Sequence, residues 1–330
     1  MRFHVWGLIY VAVGLALALR VGAASAAEQY TLNIGHVLDP QHPVQVGGLR
    51  FAQVAAEKSG GRIKINIFPS SQLGSDRETI QNTQSGVIHG VIESTTKLVN
   101  FVPEFAGLDL PYLVKAQADA YRLLDGPVVR QEMDEKALKA GFHVMHHWEV
   151  TFRNIYTARK PINSLADLKG LKIRVIQSPS FIALFRVLGA SPTPMAFGEL
   201  YTALQQGVVD GAENDILTYQ STKHFEVAKH LAITQHIMLV NSLILSERHW
   251  KTYPPDIQRI LTEASLEGRK ALIENRGARE TKALAELKAA GVQVTEADLA
   301  PFVEAARKTY PEFEGKLGKD LIRKVTEGLK

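Results

Sequence analysis

The chain has 330 residues, no cysteine, and 38 basic against 34 acidic residues, a formal charge of +4. Setting aside Arg2 and Arg20 of the N-terminal segment leaves 36 basic against 34 acidic, or +2. That balance gives no electrostatic case for nucleic acid or an anionic membrane surface, and the missing cysteine excludes disulfides and thiol chemistry.

Residues 1–26 read as a secretory signal peptide. Arg2 begins a short positive region, Val5 to Leu19 is almost wholly apolar, and Ala24-Ser25-Ala26 supplies the small residues a signal peptidase needs. Cleavage is expected after Ala26, leaving an exported chain that is not membrane-embedded. An uncleaved anchor is the alternative, because the positive region is weak.

From Tyr30 to about Ser246 helical and strand patterns alternate. Tyr30–Ile34 predicts a strand and Val44–Lys58 a helix that stops at Ser59-Gly60-Gly61. Ile63, Ile65 and Ile67 alternate with Lys64 and Asn66, which is strand period. Ser75-Asp76-Arg77-Glu78 forms a capping box for a helix ending near Gly86, and Val87–Glu93 is a short apolar run. Residues 116–140 are helical with a break at Gly126-Pro127, and Phe142–Tyr156 is extended. Ser164–Asp167 caps one turn, Leu171–Ile176 is a strand, and Pro179–Leu188 a helix. Gly198–Gln206 is a helix and Val208–Ala212 a strand, followed by extended stretches at Leu231–Ile233 and Ile237–Leu245. Such alternation predicts an α/β protein of two domains. Asp256 to about Leu287 predicts one proline-free helix of roughly 45–50 Å, a brace across both domains. A short strand and two helices are expected after Val292.

No nucleophile elbow, phosphate loop, HExxH motif or dinucleotide fingerprint is present, so no catalytic residue and no cofactor are named. His143, His147 and Glu149 would share one face of a strand, a set zinc can use. Adjacent histidines point oppositely on a strand and a fourth ligand is lacking, so these are read as surface or satisfied side chains and no metal is assigned. Arg153 and Arg174 end strand-like runs. Two guanidiniums so placed can grip one small carboxylate through forked, charge-assisted hydrogen bonds; ordinary surface arginines are the plain alternative.

Several segments, in this order and spacing, resemble the substrate-binding proteins of TRAP transporters, the tripartite ATP-independent periplasmic carriers of DctP-like type. They are Phe68 to Arg77 (FPSSQLGSDR), Phe152-Arg153-Asn154, Pro161 to Arg174 (PINSLADLKGLKIR) and Met195 to Asn214 (MAFGELYTALQQGVVDGAEN). The resemblance implies a two-lobed periplasmic-binding-protein-like α/β fold with crossover strands and one long helix spanning both lobes. The expected division is lobe I at 27–150, lobe II at 151–238, a return strand at 239–255, the spanning helix at 256–290, and a C-terminal strand and helices at 291–330.

It also implies roles by position. Arg174 is the expected carboxylate anchor and Arg153 a second cationic contact. Phe197 is the aromatic neighbour of the ligand, Asn214 an amide contact, and Glu93 and His236 are polar contacts that vary with ligand. The plain alternative for Glu93 is a simple ion pair with Lys97. Glu93 and Asp215 can accept hydrogen bonds from ligand hydroxyls, with His36, Gln72, Tyr219 and His236 adding polar capacity. These residues favour a hydroxylated acid, a uronate or aldonate, over a fatty acid or plain dicarboxylate. The expected partners are this small carboxylate and a TRAP membrane permease, with the protein a periplasmic monomer that is not an enzyme. The rival readings are an exported enzyme acting on sugar acids, with Glu93 and His236 as acid–base groups, and a sensor presenting its ligand to a membrane receptor.

Overall fold

The structure, a computed structural model, describes residues 28–329. The signal-peptide reading of 1–26 lies outside the described residues. In chain order the strands are β1 (Tyr30–Gly35), β2 (Ile63–Phe68), β3 (Gly90–Ser94), β4 (Phe142–Thr157), β5 (Lys172–Val175), β6 (Ser191–Pro194), β7 (Gly211–Asn214), β8 (His230–Ser246) and β9 (Gln293–Thr295). The helices are α1 (Pro43–Lys58), α2 (Asp76–Ser85), α3 (Thr95–Leu98), α4 (Gln117–Leu124), α5 (Asp134–Lys139), α6 (Pro179–Val187) and α7 (Leu200–Gln205). They continue with α8 (Ile216–Ser221), α9 (Glu247–Trp250), α10 (Pro255–Ala289), α11 (Ala300–Arg307), α12 (Tyr310–Leu317) and α13 (Lys319–Glu327).

The sheet order is β2-β1-β3-β8-β4-β7-β5-β6, with β9 beside β8. The two long strands β4 and β8 run antiparallel through the middle. β3 pairs with Asn241–Leu245 of β8, whereas β7 pairs with Asn154–Thr157 of β4. The parallel group β1–β3 therefore sits at one end of the crossover ribbon and the group β5–β7 at the other, which makes the molecule two-lobed. Between them the ribbon is irregular. Arg153 faces Ile237 but Ile155 faces Ala232, so β8 bulges by several residues. Asn154 Oδ1 accepts from Thr234 N and Gln235 N, both at 3.1 Å, and Gln235 has φ +42°. The two extended stretches expected around 231–245 are thus one strand with a bulge.

Apolar spacing explains the cores. Leu32, Ile34, Phe51, Trp148 and Leu272 are buried together in one half; Ile173, Phe181, Phe185 and Phe302 in the other. α10 buries Ile257, Ile260, Leu261, Ala264, Leu272 and Leu287, and spans roughly 50 Å at 1.5 Å per residue. It packs on α1 near its start and on α8 farther along, so it braces both halves. α2 carries the expected capping box, and Gly86 ends it with φ +81°, the left-handed conformation glycine adopts without strain.

Three expectations need correction. β7 begins at Gly211, not Val208, because residues 207–210 close α7: Gly207 has φ +70° and Val208 N donates to Ala203 O at 2.9 Å. β6 was not foreseen, because Pro192 and Pro194 argue against a strand; it is tolerated as the edge strand, where missing N–H donors cost least. Three helices, not two, follow β9.

Candidate functional site

A cavity lies where the carboxyl ends of β1, β3, β5 and β7 converge, the place where open α/β sheets bind ligands. Glu93 and Ser94 end β3, Arg174 lies next to the end of β5, and Asn214 ends β7. All of these, with Lys97, Arg153, Phe197, Asp215, Thr218 and Asn241, line the cavity. α3 starts directly after β3 and returns Lys97 over Glu93 one turn later.

The cations differ in how they are neutralised. Arg153 is buried; its Nε and Nη2 grip the Glu213 carboxylate, Nη2 also donates to Glu213 O at 2.6 Å, and Nη1 donates to Asn214 Oδ1 at 2.7 Å. Burial opposes the Arg153 charge, but Glu213 more than offsets it and raises the pKa. Lys97 Nζ sits between Asp76 Oδ1 at 2.7 Å and Glu93 Oε1 at 2.8 Å. Arg276 of α10 reaches Glu149 Oε1 at 3.0 Å and Asp215 Oδ1 at 3.3 Å.

Arg174 is the exception. It is 1% exposed, and among the described residues no carboxylate lies within ion-pairing distance of it. Its Nε and Nη2 donate to Met195 O at 3.2 and 2.8 Å, and its guanidinium lies 5.7 Å from the Phe197 ring centre. Burial lowers its pKa despite the more distant Glu213.

Glu93 is nearly as uneven. Oε1 accepts from Ser94 N and Lys97 Nζ, both at 2.8 Å, whereas Oε2 is buried without a partner among the described residues. Burial pushes its carboxyl up to about 7, against the pull of Lys97.

The structure therefore brings together Glu93, Arg153, Arg174, Phe197, Asn214 and Asp215 and leaves three candidates outside. His236 lies behind Glu213, its Nε2 3.6 Å from Oε2, with Nδ1 bonded to Thr234 Oγ1 at 2.8 Å. His36 bonds through Nε2 to Gln45 Oε1 at 2.7 Å, and burial pushes its pKa down to about 4. Gln72 is exposed in the turn after β2. None of the three lines the cavity.

Two roles also change. Arg153 is not a free second cation, because Glu213 and Asn214 already hold it. Asp215 is largely committed as an acceptor: Oδ1 takes Leu217 N, Thr218 N and Arg276, while Oδ2 takes Thr218 Oγ1 at 2.5 Å. Burial opposes its charge, yet Arg276 holds its pKa down at about 2. Tyr219 turns away to Ala228 O at 2.6 Å.

The His143–Glu149 segment separates as well. His143 stacks on Trp250 and bonds to Glu247, His147 bonds to Ser242, and Glu149 bonds to Asn241 and Arg276. Bulges after Val144 and His147 break the alternation on which a shared face depended.

Sequence reasoning missed Glu213, Asn241 and Arg276. Arg276 had one signal: it lies four residues after Leu272, on the buried stripe of α10, where a cation needs a partner.

A family model described as bacterial extracellular solute-binding protein, family 7, matches residues 34–316. The protein YiiZ of Salmonella typhimurium, named as uncharacterized, is 36% identical over 267 residues, covering 80% of this chain and 81% of that one. A TRAP periplasmic solute-binding protein from Polaromonas sp. JS666, solved bound to D-erythronate, has 33% identity and a TM-score of 0.87, covering 90% of this chain and 98% of that one. The sugar acid binding protein DctPAm from Advenella mimigardefordensis, solved with galactonate, has 29% identity and a TM-score of 0.88, covering 92% and 98%.

Proposed function

This chain belongs to family 7 of the bacterial extracellular solute-binding proteins, the DctP-like binding components of TRAP transporters, and from that premise we propose that it captures a hydroxylated sugar acid by its carboxylate. The observation that carries this reading is Arg174, a buried guanidinium with no acidic partner among the described residues. An uncompensated buried charge costs several kcal/mol. A ligand carboxylate supplies the missing charge, accepts the donors not directed at Met195 O, and lies beside the Phe197 ring.

Hydroxyls suit the rest of the lining. Glu93 Oε2 is an acceptor without a partner among the described residues, or a donor when protonated, and Asn241 and Asn214 add amides. An aliphatic chain would leave these polar atoms unsatisfied. The D-erythronate and galactonate complexes of similar proteins support the same ligand class.

The protein acts as a monomeric periplasmic binding component and not as an enzyme. Lobe I (27–150) and lobe II (151–238), with the return strand, spanning helix and C-terminal elements beyond, close about the β4–β8 ribbon. Closure excludes water, strengthens the Arg174 contact and presents a surface to a TRAP permease. A thermal-shift screen tests the reading, since a ligand bound to the folded state raises its melting temperature. Aldonates and uronates should raise it, whereas fatty acids should not. A rise with fatty acids or plain dicarboxylates alone would overturn the sugar-acid assignment.

A further inference from the structure

The cavity at Arg174 does not stand alone. It encloses about 40 Å³, enough for a carboxylate and its immediate neighbours. A second cavity of about 250 Å³ adjoins it, and the two share Lys97 and Ile176 as lining residues. Asp76 lines only the outer space and Glu93 only the inner one, and Lys97 is hydrogen-bonded to both. Lys97 is therefore the threshold between the chambers.

The outer chamber is mixed in polarity and open to solvent, with Ile80, Phe101 and Ile176 as its apolar wall. Arg77, Asn100 and Gln177 line it, and all three are exposed. Asn100 Nδ2 donates to Gln177 O at 2.9 Å, so this chamber also joins the two halves of the molecule. Arg77 has no ion-pair partner among the described residues.

We infer that the two chambers form one bipartite pocket that selects a six-carbon hydroxy acid, its carboxylate at Arg174 and its far hydroxylated end beyond Lys97 among Arg77, Asn100 and Gln177. This rests on the carboxylate reading of Arg174. The small inner space holds the head group that every short acid shares. The outer space rewards only chains long enough to pass Lys97, whose ammonium meets the middle hydroxyls. Selection by length then arises in a part of the site separate from the carboxylate anchor.

Calorimetric titration of the mature protein with erythronate, xylonate and galactonate, of four, five and six carbons, tests this. Affinity should rise at least tenfold from erythronate to galactonate. Gln177→Trp, which fills the outer chamber from an exposed position, should weaken galactonate at least tenfold and leave erythronate within twofold. Arg77→Ala should weaken galactonate more than erythronate. Equal affinities for all three acids, or equal losses for short and long acids in Gln177→Trp, would overturn the bipartite pocket while leaving the Arg174 anchor intact. Absence of binding by all three acids would overturn the anchor and the pocket together.

Discussion

Arg153 grips one residue twice: its Nη2 donates to both the side chain and the main chain of Glu213, at 2.8 and 2.6 Å. The pair is buried, with side-chain exposures of 4% and 0%. Arg153 is thereby neutralised and fixed, while Arg174 has no ion-pair partner among the described residues. One arginine of the cavity is thus structural, and the other is the one proposed to bind the ligand. Removing one member of such a buried pair strands the other. Arg153→Met should destabilise the fold by about 3–5 kcal/mol, and adding Glu213→Met should recover most of that loss. Urea unfolding of the single and double variants checks this. A single variant within about 1 kcal/mol of the wild type would contradict it.

A chain of hydrogen bonds joins the two halves beside the cavity. Val44 N donates to His42 Nδ1 at 3.2 Å, His42 Nε2 meets Thr218 Oγ1 at 3.1 Å, and Thr218 Oγ1 donates to Asp215 Oδ2 at 2.5 Å. Because Nδ1 accepts, the His42 proton lies on Nε2 and points at Thr218. Thr218→Val keeps the shape and breaks both hydroxyl bonds. It should weaken galactonate binding by about 1–2 kcal/mol, since it removes a contact between the two halves on which the proposed closure depends. Titration calorimetry reads this, and unchanged affinity would show that the chain is no latch.

Glu93 gives a pH dependence with a definite sign. Burial, reinforced by Asp76 and opposed by Lys97, pushes its carboxyl from an ordinary 4.5 up to about 7. Between those values the folded protein keeps a proton that the unfolded chain has lost. The Glu93 contribution to stability is therefore full below about pH 4.5 and is lost as pH rises toward 7. Glu93→Gln stays neutral throughout, so its melting temperature should gain on the wild type across that window and run parallel above it. A difference independent of pH would contradict the assignment.

The long helix α10 meets α1 at a close backbone crossing. A Cβ on Gly268 would lie 2.8 Å from Gly47 O and 2.9 Å from the Trp148 ring, whereas nothing lies within 4 Å of one on Gly277. Gly268→Ala should destabilise by about 1–3 kcal/mol through overpacking. Gly277→Ala, in the same helix, should stabilise by about 0.5–1 kcal/mol through helix propensity. Urea melts of the two variants should move in opposite directions. Equal shifts would mean that the crossing is not tight.

What was legible in the sequence is what neighbouring residues determine. The Ser75–Glu78 capping box, the glycine after α2 and the alternating isoleucines of β2 each carry their structure within a few residues. Arg174 was legible as a cavity-lining residue because it ends a strand in a recognisable segment, and Glu93 because it closes a short apolar run. The partner of Arg153 was not, since Glu213 reaches it through a pairing between strands sixty residues apart in sequence. For the same reason Asp215 read as a free acceptor, although most of its acceptor capacity is taken by its own helix and by Arg276. His36 and His236 read as polar capacity, but each had already found a buried partner. β6 was hidden because its two prolines are compatible with a strand only at an edge, and edge position is a property of the whole sheet.

The central claim is tested most directly by titrating galactonate into the wild-type protein and Arg174→Ala by calorimetry, with circular dichroism to confirm that the variant is folded. The variant should lose at least about 3 kcal/mol of binding free energy, a factor of more than about a hundred in affinity. A folded Arg174→Ala protein that binds galactonate with near wild-type affinity would contradict the account.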